Sequence, residues 1–259
     1  MTEQITLYTA KAKICPFSHR VEIALAEAKV GFSRFEIDLS NKPEWYAPKV
    51  NPASKVPAIA YGGPQVSPDL PSPDSVKLTE SLILVEFIAD LQPDSALLPK
   101  DPVQRAKARF FIDAVSTKFL PAYMGPIARG TPFESLWDAL AQLQALLPAD
   151  KTYALGDEYT AADIAITPFL ARMEVWLTND IGIYKEGEGK KASEYFFEGD
   201  RFARLVKYWT AIKARESFKQ TFDAMLTPGR MKDYIKEKYS AKFAPLRAQA
   251  QAAAVAAAA

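Results

Sequence analysis

Ile14-Cys15-Pro16-Phe17-Ser18-His19-Arg20 holds the only cysteine and the only histidine of the 259-residue chain. It lies between an apolar strand-like run (Ile5, Leu7, Tyr8) and a pattern of helical period (Val21, Ile23, Ala24, Leu25, Ala28). Strand, short loop and Cys-Pro predict a helix opening at residue 16 and running to 29. Proline suits the first helical position because its missing N–H would have no partner there. Cys15 is thereby expected at the N-cap, beside unpaired backbone donors and the positive end of the helix dipole, surroundings that favour thiolate over thiol. A free cysteine is also commonly a small buried hydrophobe, and the local sequence leaves both readings open.

Working outward, residues 4–9 alternate as a strand, and Phe32 to Leu39 reads as a second strand parallel to it, since a helix separates them. Lys42-Pro43-Glu44-Trp45 reads as a short helix start with Pro43 in its first turn. Val56 to Tyr61 resumes as a strand after Asn51-Pro52, and Val76 to Thr79 is another. Between them, 62–75 carries four prolines and is expected to be an exposed irregular loop. From Glu80 the period is helical until Pro93. Leu97 to Pro102 reads as a linker, which sets expected domains of 1–97 and 102–259. Beyond it the expected helices are 102–124, 132–147, 160–178, 199–213, 215–225 and 228–243. Thr160 and Asp163 form a capping signal with a Tyr159/Ile164 staple, and Pro168 is expected to kink its helix. Residues 184–201 read as a charged, glycine-bearing loop, and the alanine tail from Ala248 as a frayed helix.

Composition narrows the function. Lysine plus arginine (32) balances aspartate plus glutamate (31), so nothing electrostatic points to nucleic acid or to an anionic membrane. A single cysteine excludes an internal disulfide and a multi-cysteine metal site, and no metal is expected. No apolar run reaches bilayer length and no leader pattern is seen, so a cytoplasmic location is expected. Cys15 and Ser18 have the spacing of a Cys-x-x-Cys redox motif with serine in place of the resolving thiol. Such a site needs an external thiol to resolve a mixed disulfide. Ser18 is a possible hydrogen-bond donor to the thiolate. Adjacent residues on a helix do not face one another, so His19 is expected on the surface, and a Cys-His hydrolase is not supported.

Four motifs in order, Cys15-Pro-Phe-Ser, Asn41-Lys-Pro-Glu-Trp45, Lys55-Val56-Pro57 and Thr79-Glu80-Ser81, resemble those of omega-class glutathione transferases. The resemblance spans roughly residues 5–225. It implies an α/β plus all-α protein: a thioredoxin-like βαβαββα domain followed by an all-helical one. It implies glutathione as co-substrate, with Cys15 as the nucleophile and Phe17 beside it. Val56 would pair its backbone with the cysteinyl part, and Pro57 would follow a cis bond. Glu80 and Ser81 would hold the γ-glutamyl end and Lys42 the glycyl carboxylate, with Lys55 a second cation nearby. A co-substrate pocket for hydrophobic or aromatic molecules would draw on Phe119, Tyr123, Met124, Phe169, Arg172 and Trp176. The loops 62–75 and 184–201 are longer than the family pattern. The resemblance implies a homodimer and a thiol transferase or reductase acting by deglutathionylation, dehydroascorbate reduction or glutathionyl-ketone reduction. The alternative is a ligandin that binds aromatic or phenolic compounds with little turnover.

Overall fold

The computed structural model describes residues 3–11 and 14–222, together with Ala252 and Ala256. The first unit runs β1 (Ile5–Ala10), α1 (Pro16–Glu27), β2 (Ser33–Ile37), α2 (Tyr46–Lys49), β3 (Ala58–Tyr61), β4 (Val76–Thr79) and α3 (Ser81–Leu91). The four strands lie in the order β2-β1-β3-β4. β2 is parallel to β1, with Leu7 opposite Arg34, whereas β3 is antiparallel to β1, with Leu7 opposite Ile59. This is the thioredoxin-like arrangement.

Every residue of β1 is buried. Strand side chains alternate between faces, so the sheet must be covered on both sides. Leu7 and Ile59 pack with Val21 and Ile23 of α1 and Leu84 and Ile88 of α3. On the other face Tyr8, Ala58 and Ala60 pack with Tyr46 of α2 and with Val50. Burying a side chain such as Leu7 stabilises the fold by about 1.5–3 kcal/mol.

α2 begins at Tyr46, three residues later than the sequence reading put it. Pro43 lies before the helix, and its carbonyl accepts from the Tyr46 N–H at 3.0 Å. The delay follows from Asp38, whose carboxylate accepts from the Ser40 N–H at 3.0 Å while its carbonyl accepts from Asn41 N–H at 3.2 Å. That turn occupies the chain just ahead of Pro43.

The second unit is helical: α4 (Pro102–Ala114), a π-helical turn at Val115–Phe119, α5 (Leu120–Arg129), α6 (Glu134–Leu146), α7 (Ala161–Thr178), α8 (Glu188–Phe197), α9 (Ala203–Ala214) and α10 (Glu216–Thr221). The π turn precedes Pro121, which has no N–H to give the preceding turn. Within it the Ser116 and Thr117 hydroxyls donate back to the Ile112 and Asp113 carbonyls, each at 2.9 Å. α7 is the axis of this unit: all residues from Ala161 to Met173 are buried. Its start is the capping box read from Thr160 and Asp163, with Tyr159 and Ile164 both buried beside it.

The stretch 184–201 is not a loop throughout, since α8 forms within it. Gly187 caps the helix at φ 88°, and Asp180 accepts from the Gly187 and Gly189 N–H groups at 2.6 and 2.8 Å. A Cβ on Gly189 would lie 2.6 Å from the Tyr184 hydroxyl, so this glycine serves close packing. Ala192 and Phe196, one turn apart, bury the inner face. The expected helix 228–243 lies outside the described residues, and of the alanine tail only Ala252 and Ala256 are described, both helical and exposed. Among the described residues no helix is long and apolar enough to cross a membrane, and no group of three or more His, Cys, Asp or Glu side chains could hold a metal ion.

Candidate active site

Cys15 is the N-cap of α1, with Pro16 in the first turn, and its side chain makes no capping bond. It is a free, half-buried thiol, and Sγ lies 3.8 Å from the Val56 carbonyl oxygen. Ser18 Oγ is buried and has no hydrogen-bond partner among the described residues.

The wall opposite the thiol is the segment leading into β3. The Val56–Pro57 bond is cis. Asn51 organises the approach: its Oδ1 accepts from the Ala53 N–H at 3.1 Å and its Nδ2 donates to the Lys55 carbonyl at 2.8 Å. The Tyr46 hydroxyl donates to that same carbonyl at 2.7 Å. Burial pushes the Tyr46 phenol up, so it remains a donor at neutral pH. Lys42 Nζ donates to the Ser54 carbonyl at 2.7 Å, which brings it to the rim beside the exposed Lys55.

Glu80 precedes α3 at φ 70°, ψ 110°, a left-handed conformation that a side chain adopts only at a cost. The turn leaves its carboxylate exposed at the helix N-terminus, next to the buried Ser81. Ser81 Oγ accepts from Arg20 Nη1 at 3.3 Å.

Phe17 is 40% exposed and meets Phe169 of α7 edge-on, with ring centroids 5.4 Å apart. From there an aromatic chain runs inward: Phe169 to Tyr123 at 5.6 Å, Tyr123 stacked on Trp176 at 5.3 Å, and Tyr123 to Phe119 at 5.4 Å. Met124 and Trp176 are half-buried, whereas Phe119, Tyr123 and Phe169 are at most 3% exposed. The sequence-derived group is thus spatially continuous with Phe17, and its inner members belong to the core. The Trp176 indole N–H is buried with no partner among the described residues.

His19 is not a surface residue: it is 2% exposed. Its Nδ1 lies 3.2 Å from Arg172 Nη1 and its Nε2 lies 3.0 Å from Thr221 Oγ1 of α10. Arginine is always a donor, so Nδ1 accepts and the proton sits on Nε2. That arrangement makes His19 a strut between domains rather than a general base. Arg172, also 2% exposed, donates further to the carbonyls of Ile14 (3.3 Å) and Pro168 (2.9 Å). Its guanidinium lies beneath the loop that presents the thiol. Burial pulls its pKa down, with Tyr123, Cys15 and Glu22 opposing.

Arg20 carried no role in the sequence reading. It is 2% exposed and donates through Nε and Nη2 to the Ala165 carbonyl, at 2.9 and 2.6 Å. Phe17 and Phe169 cover its guanidinium at 5.4 and 4.9 Å. The signal for such burial was present. Val21, Ile23, Ala24 and Leu25 cannot share one helical face, so α1 is apolar on several sides and has to be enclosed.

The comparisons agree with this architecture. Residues 14–91 match the glutathione S-transferase N-terminal domain and residues 133–206 the glutathione S-transferase C-terminal domain. Glutathione transferase Omega 1C from Trametes versicolor is 59% identical, with 94% of this chain and 98% of that chain covered at a TM-score of 0.84. Omega 2S from the same organism, solved in complex with 2,4-dihydroxybenzophenone, is 44% identical over 86% of this chain and 94% of its own, with a TM-score of 0.80. Among curated proteins, pyrimidodiazepine synthase of Drosophila melanogaster is 27% identical, with coverage of 78% and 74%. With a thiol at the start of α1, a cis-proline wall and this degree of likeness along almost the whole chain, the protein belongs to the glutathione transferases, in their omega class.

Proposed function

We propose that the enzyme performs glutathione-dependent thiol transfer through Cys15. One observation carries the reading: the chain's only cysteine caps α1 as a partly exposed thiol, with no second cysteine to resolve it. The thiolate attacks the glutathionyl sulfur of a mixed disulfide. A Cys15–glutathione disulfide forms and the partner thiolate leaves, taking a proton from solvent. A second glutathione thiolate then attacks the glutathione sulfur, which releases oxidised glutathione and regenerates the Cys15 thiolate. With a glutathionyl ketone the carbon–sulfur bond breaks instead, and the carbon leaves as an enolate that takes up a proton. Dehydroascorbate reduction would draw its two electrons from two glutathione molecules by way of the same thiol.

In this reading residues 1–97 bind glutathione and residues 102–259 supply the co-substrate side. Val56 offers its backbone to the cysteinyl part, Glu80 pairs the γ-glutamyl ammonium, and Ser81 at the start of α3 meets the carboxylate. Lys42 and Lys55 serve the glycyl end, and Phe17 flanks the sulfur beside the Phe169, Tyr123 and Trp176 chain. Ile83 of α3 and Phe110 of α4 are left 60% and 64% exposed, and the Glu86–Arg109 pair joins those helices. That face supports a homodimer. A cytoplasmic location suits the free thiol.

The test is intact-mass spectrometry after treatment with oxidised glutathione. A glutathione-sized adduct on Cys15, removed by reduced glutathione, is expected. Cys15→Ser should show no adduct and lose thiol transfer by at least about a thousandfold; retained transfer would sink the assignment. A binding role for aromatic compounds is the second reading. The Trp176 N–H, which has no partner among the described residues, favours it, because a phenol or ketone oxygen would satisfy that donor. Ligand-induced thermal shifts in a protein that takes no glutathione adduct would select it.

A further inference from the structure

We propose that Tyr46 and Asn51 are positioning residues of this reaction: both donate to the Lys55 carbonyl oxygen, and by fixing that peptide plane they aim the Val56 N–H at the backbone of a glutathionyl substrate. The inference rests on the glutathione-dependent reading of Cys15.

A peptide unit is planar, and in its trans form the N–H points opposite to the C=O. The Lys55–Val56 bond is trans, since among the described residues the one cis bond is Val56–Pro57. Whatever holds the Lys55 oxygen therefore also sets the direction of the Val56 N–H. Tyr46 Oη donates to that oxygen at 2.7 Å and Asn51 Nδ2 at 2.8 Å, so both of its lone pairs are taken. The Val56 N–H leaves on the opposite side and has no acceptor among the described residues. The carbonyl of the same residue lies 3.8 Å from Cys15 Sγ. Val56 thus offers an unused donor and a carbonyl beside the thiol, the groups that an extended peptide pairs with.

The two donors are themselves held. Tyr46 is 0% exposed at the start of α2, with its ring against those of Tyr8 and Trp45. Asn51 is 5% exposed and uses four groups within the segment. Its N–H donates to the Tyr46 carbonyl at 3.2 Å, and its carbonyl accepts from the Ser54 N–H at 2.7 Å. Its Oδ1 accepts from the Ala53 N–H, and Nδ2 reaches Lys55. Ser54, at a φ of 53°, turns the chain sharply just ahead of Lys55, and β3 begins only at Ala58. The Lys55–Val56 plane therefore depends on these side-chain ties and not on a strand ladder.

Lys42 adds a tie from the rim through the Ser54 carbonyl, but it is exposed and assigned to the glycyl end, so its replacement would mix two effects. Tyr46 and Asn51 are clean probes because their side chains are enclosed. A change in glutathione preference on replacing them travels through the Lys55–Val56 peptide. Tyr46→Phe keeps the ring packing and leaves the carbonyl one donor. Asn51→Asp keeps the acceptor for Ala53 and sets a carboxylate oxygen against the Lys55 carbonyl, which turns the plane away. A disulfide without a peptide backbone makes no demand on Val56.

The experiment compares two disulfides at one thiol, oxidised glutathione and hydroxyethyl disulfide. In each case the Cys15 thiolate attacks one sulfur, a bond from Sγ to that sulfur forms, the reagent's S–S bond breaks, and the other half leaves as a thiolate. Mass spectrometry follows the second-order rate of each adduct, and the ratio of the two rates is the preference for the peptide. Tyr46→Phe should lower that ratio about threefold or more, and Asn51→Asp about tenfold or more. A merely structural role would lower thermal stability and slow both reagents alike. A ratio lowered by less than about threefold in Tyr46→Phe overturns the proposal. Should that variant fail to fold, Asn51→Asp decides by the same threshold. A wild-type protein without preference for oxidised glutathione would defeat the glutathione reading itself, whereas a wild-type preference that survives Tyr46→Phe defeats only the positioning role.

Discussion

Replacing Asp163 with alanine is expected to lower the stability of the whole protein by about 4 kcal/mol while leaving the chemistry of the thiol unchanged. Asp163 is fully buried and accepts four hydrogen bonds: from the N–H groups of Ala154 and Thr160, both at 2.8 Å, from the Thr160 hydroxyl at 3.1 Å, and from the Tyr208 hydroxyl at 2.9 Å. The Thr160 hydroxyl can turn elsewhere after the substitution. The two backbone donors and Tyr208 cannot all do so, and a buried donor left unpaired costs about 1–3 kcal/mol. Three such groups, partly relieved by a water entering the vacated space, give about 3–5 kcal/mol. For a chain of this size that corresponds to a fall in melting temperature of about 8–16 °C. Asp163→Asn keeps one acceptor oxygen and should lose about half as much. Burial pushes the Asp163 carboxyl up despite its donors, so ionisation there carries a cost. With the folded value raised, the advantage of Asp163 over asparagine is greatest below the ordinary carboxylate range and shrinks as pH rises through that raised value. Thermal unfolding followed by circular dichroism at several pH values measures both effects. A melting temperature for Asp163→Ala within about 3 °C of wild type would refute the reasoning. Equal losses in the alanine and asparagine variants would show that charge, not the count of acceptors, matters.

Two further substitutions probe the site. Glu80→Gly removes a side chain from a φ of 70° and should raise the melting temperature by about 2–4 °C, while glutathione binds about tenfold more weakly for want of the carboxylate; a fall in both would contradict it. Ser18→Cys puts a second thiol one helical turn from Cys15, within disulfide reach, so oxidised glutathione should yield an internal disulfide, two hydrogen masses lighter, in place of the stable adduct. Persistence of the glutathione adduct in that variant would show that the start of α1 cannot close the bond.

Local features of this chain were readable and enclosed ones were not. The strands, the Cys-Pro helix start and the Thr160–Asp163 box each depend on residues a few positions apart, so their physics is present in the sequence. The start of α2 was misplaced because the Asp38 turn competes for the residues ahead of Pro43. α8 was missed because glycines and charges masked a short apolar pair, Ala192 and Phe196, in a helix that packs on α7 and α9 and whose Phe196 ring meets Trp137 of α6. His19 was misplaced and Arg20 overlooked for a related reason. Adjacency on a helix predicts that neighbours diverge, and here both divergent directions are enclosed: Arg20 meets α3 and α7, and His19 meets α7 and α10. Phe119, Tyr123 and Phe169 lie in one aromatic chain, but period alone cannot tell a pocket wall from the layer behind it.

The two buried arginines explain why the thiol is a property of both domains. Arg20 leaves α1 and takes the Ala165 carbonyl on α7, in the turn that Pro168 opens by having no N–H for the carbonyl of Ile164. Arg172 leaves α7 and takes the Ile14 carbonyl, one residue before the thiol. Each domain thus donates a cation to the backbone of the other, and the exchange straddles Cys15. A helix N-cap alone would orient the sulfur only as well as its own loop is held. Cross-domain anchoring fixes that loop from behind, and an error of about 1 Å at a reacting atom is enough to cost orders of magnitude in rate.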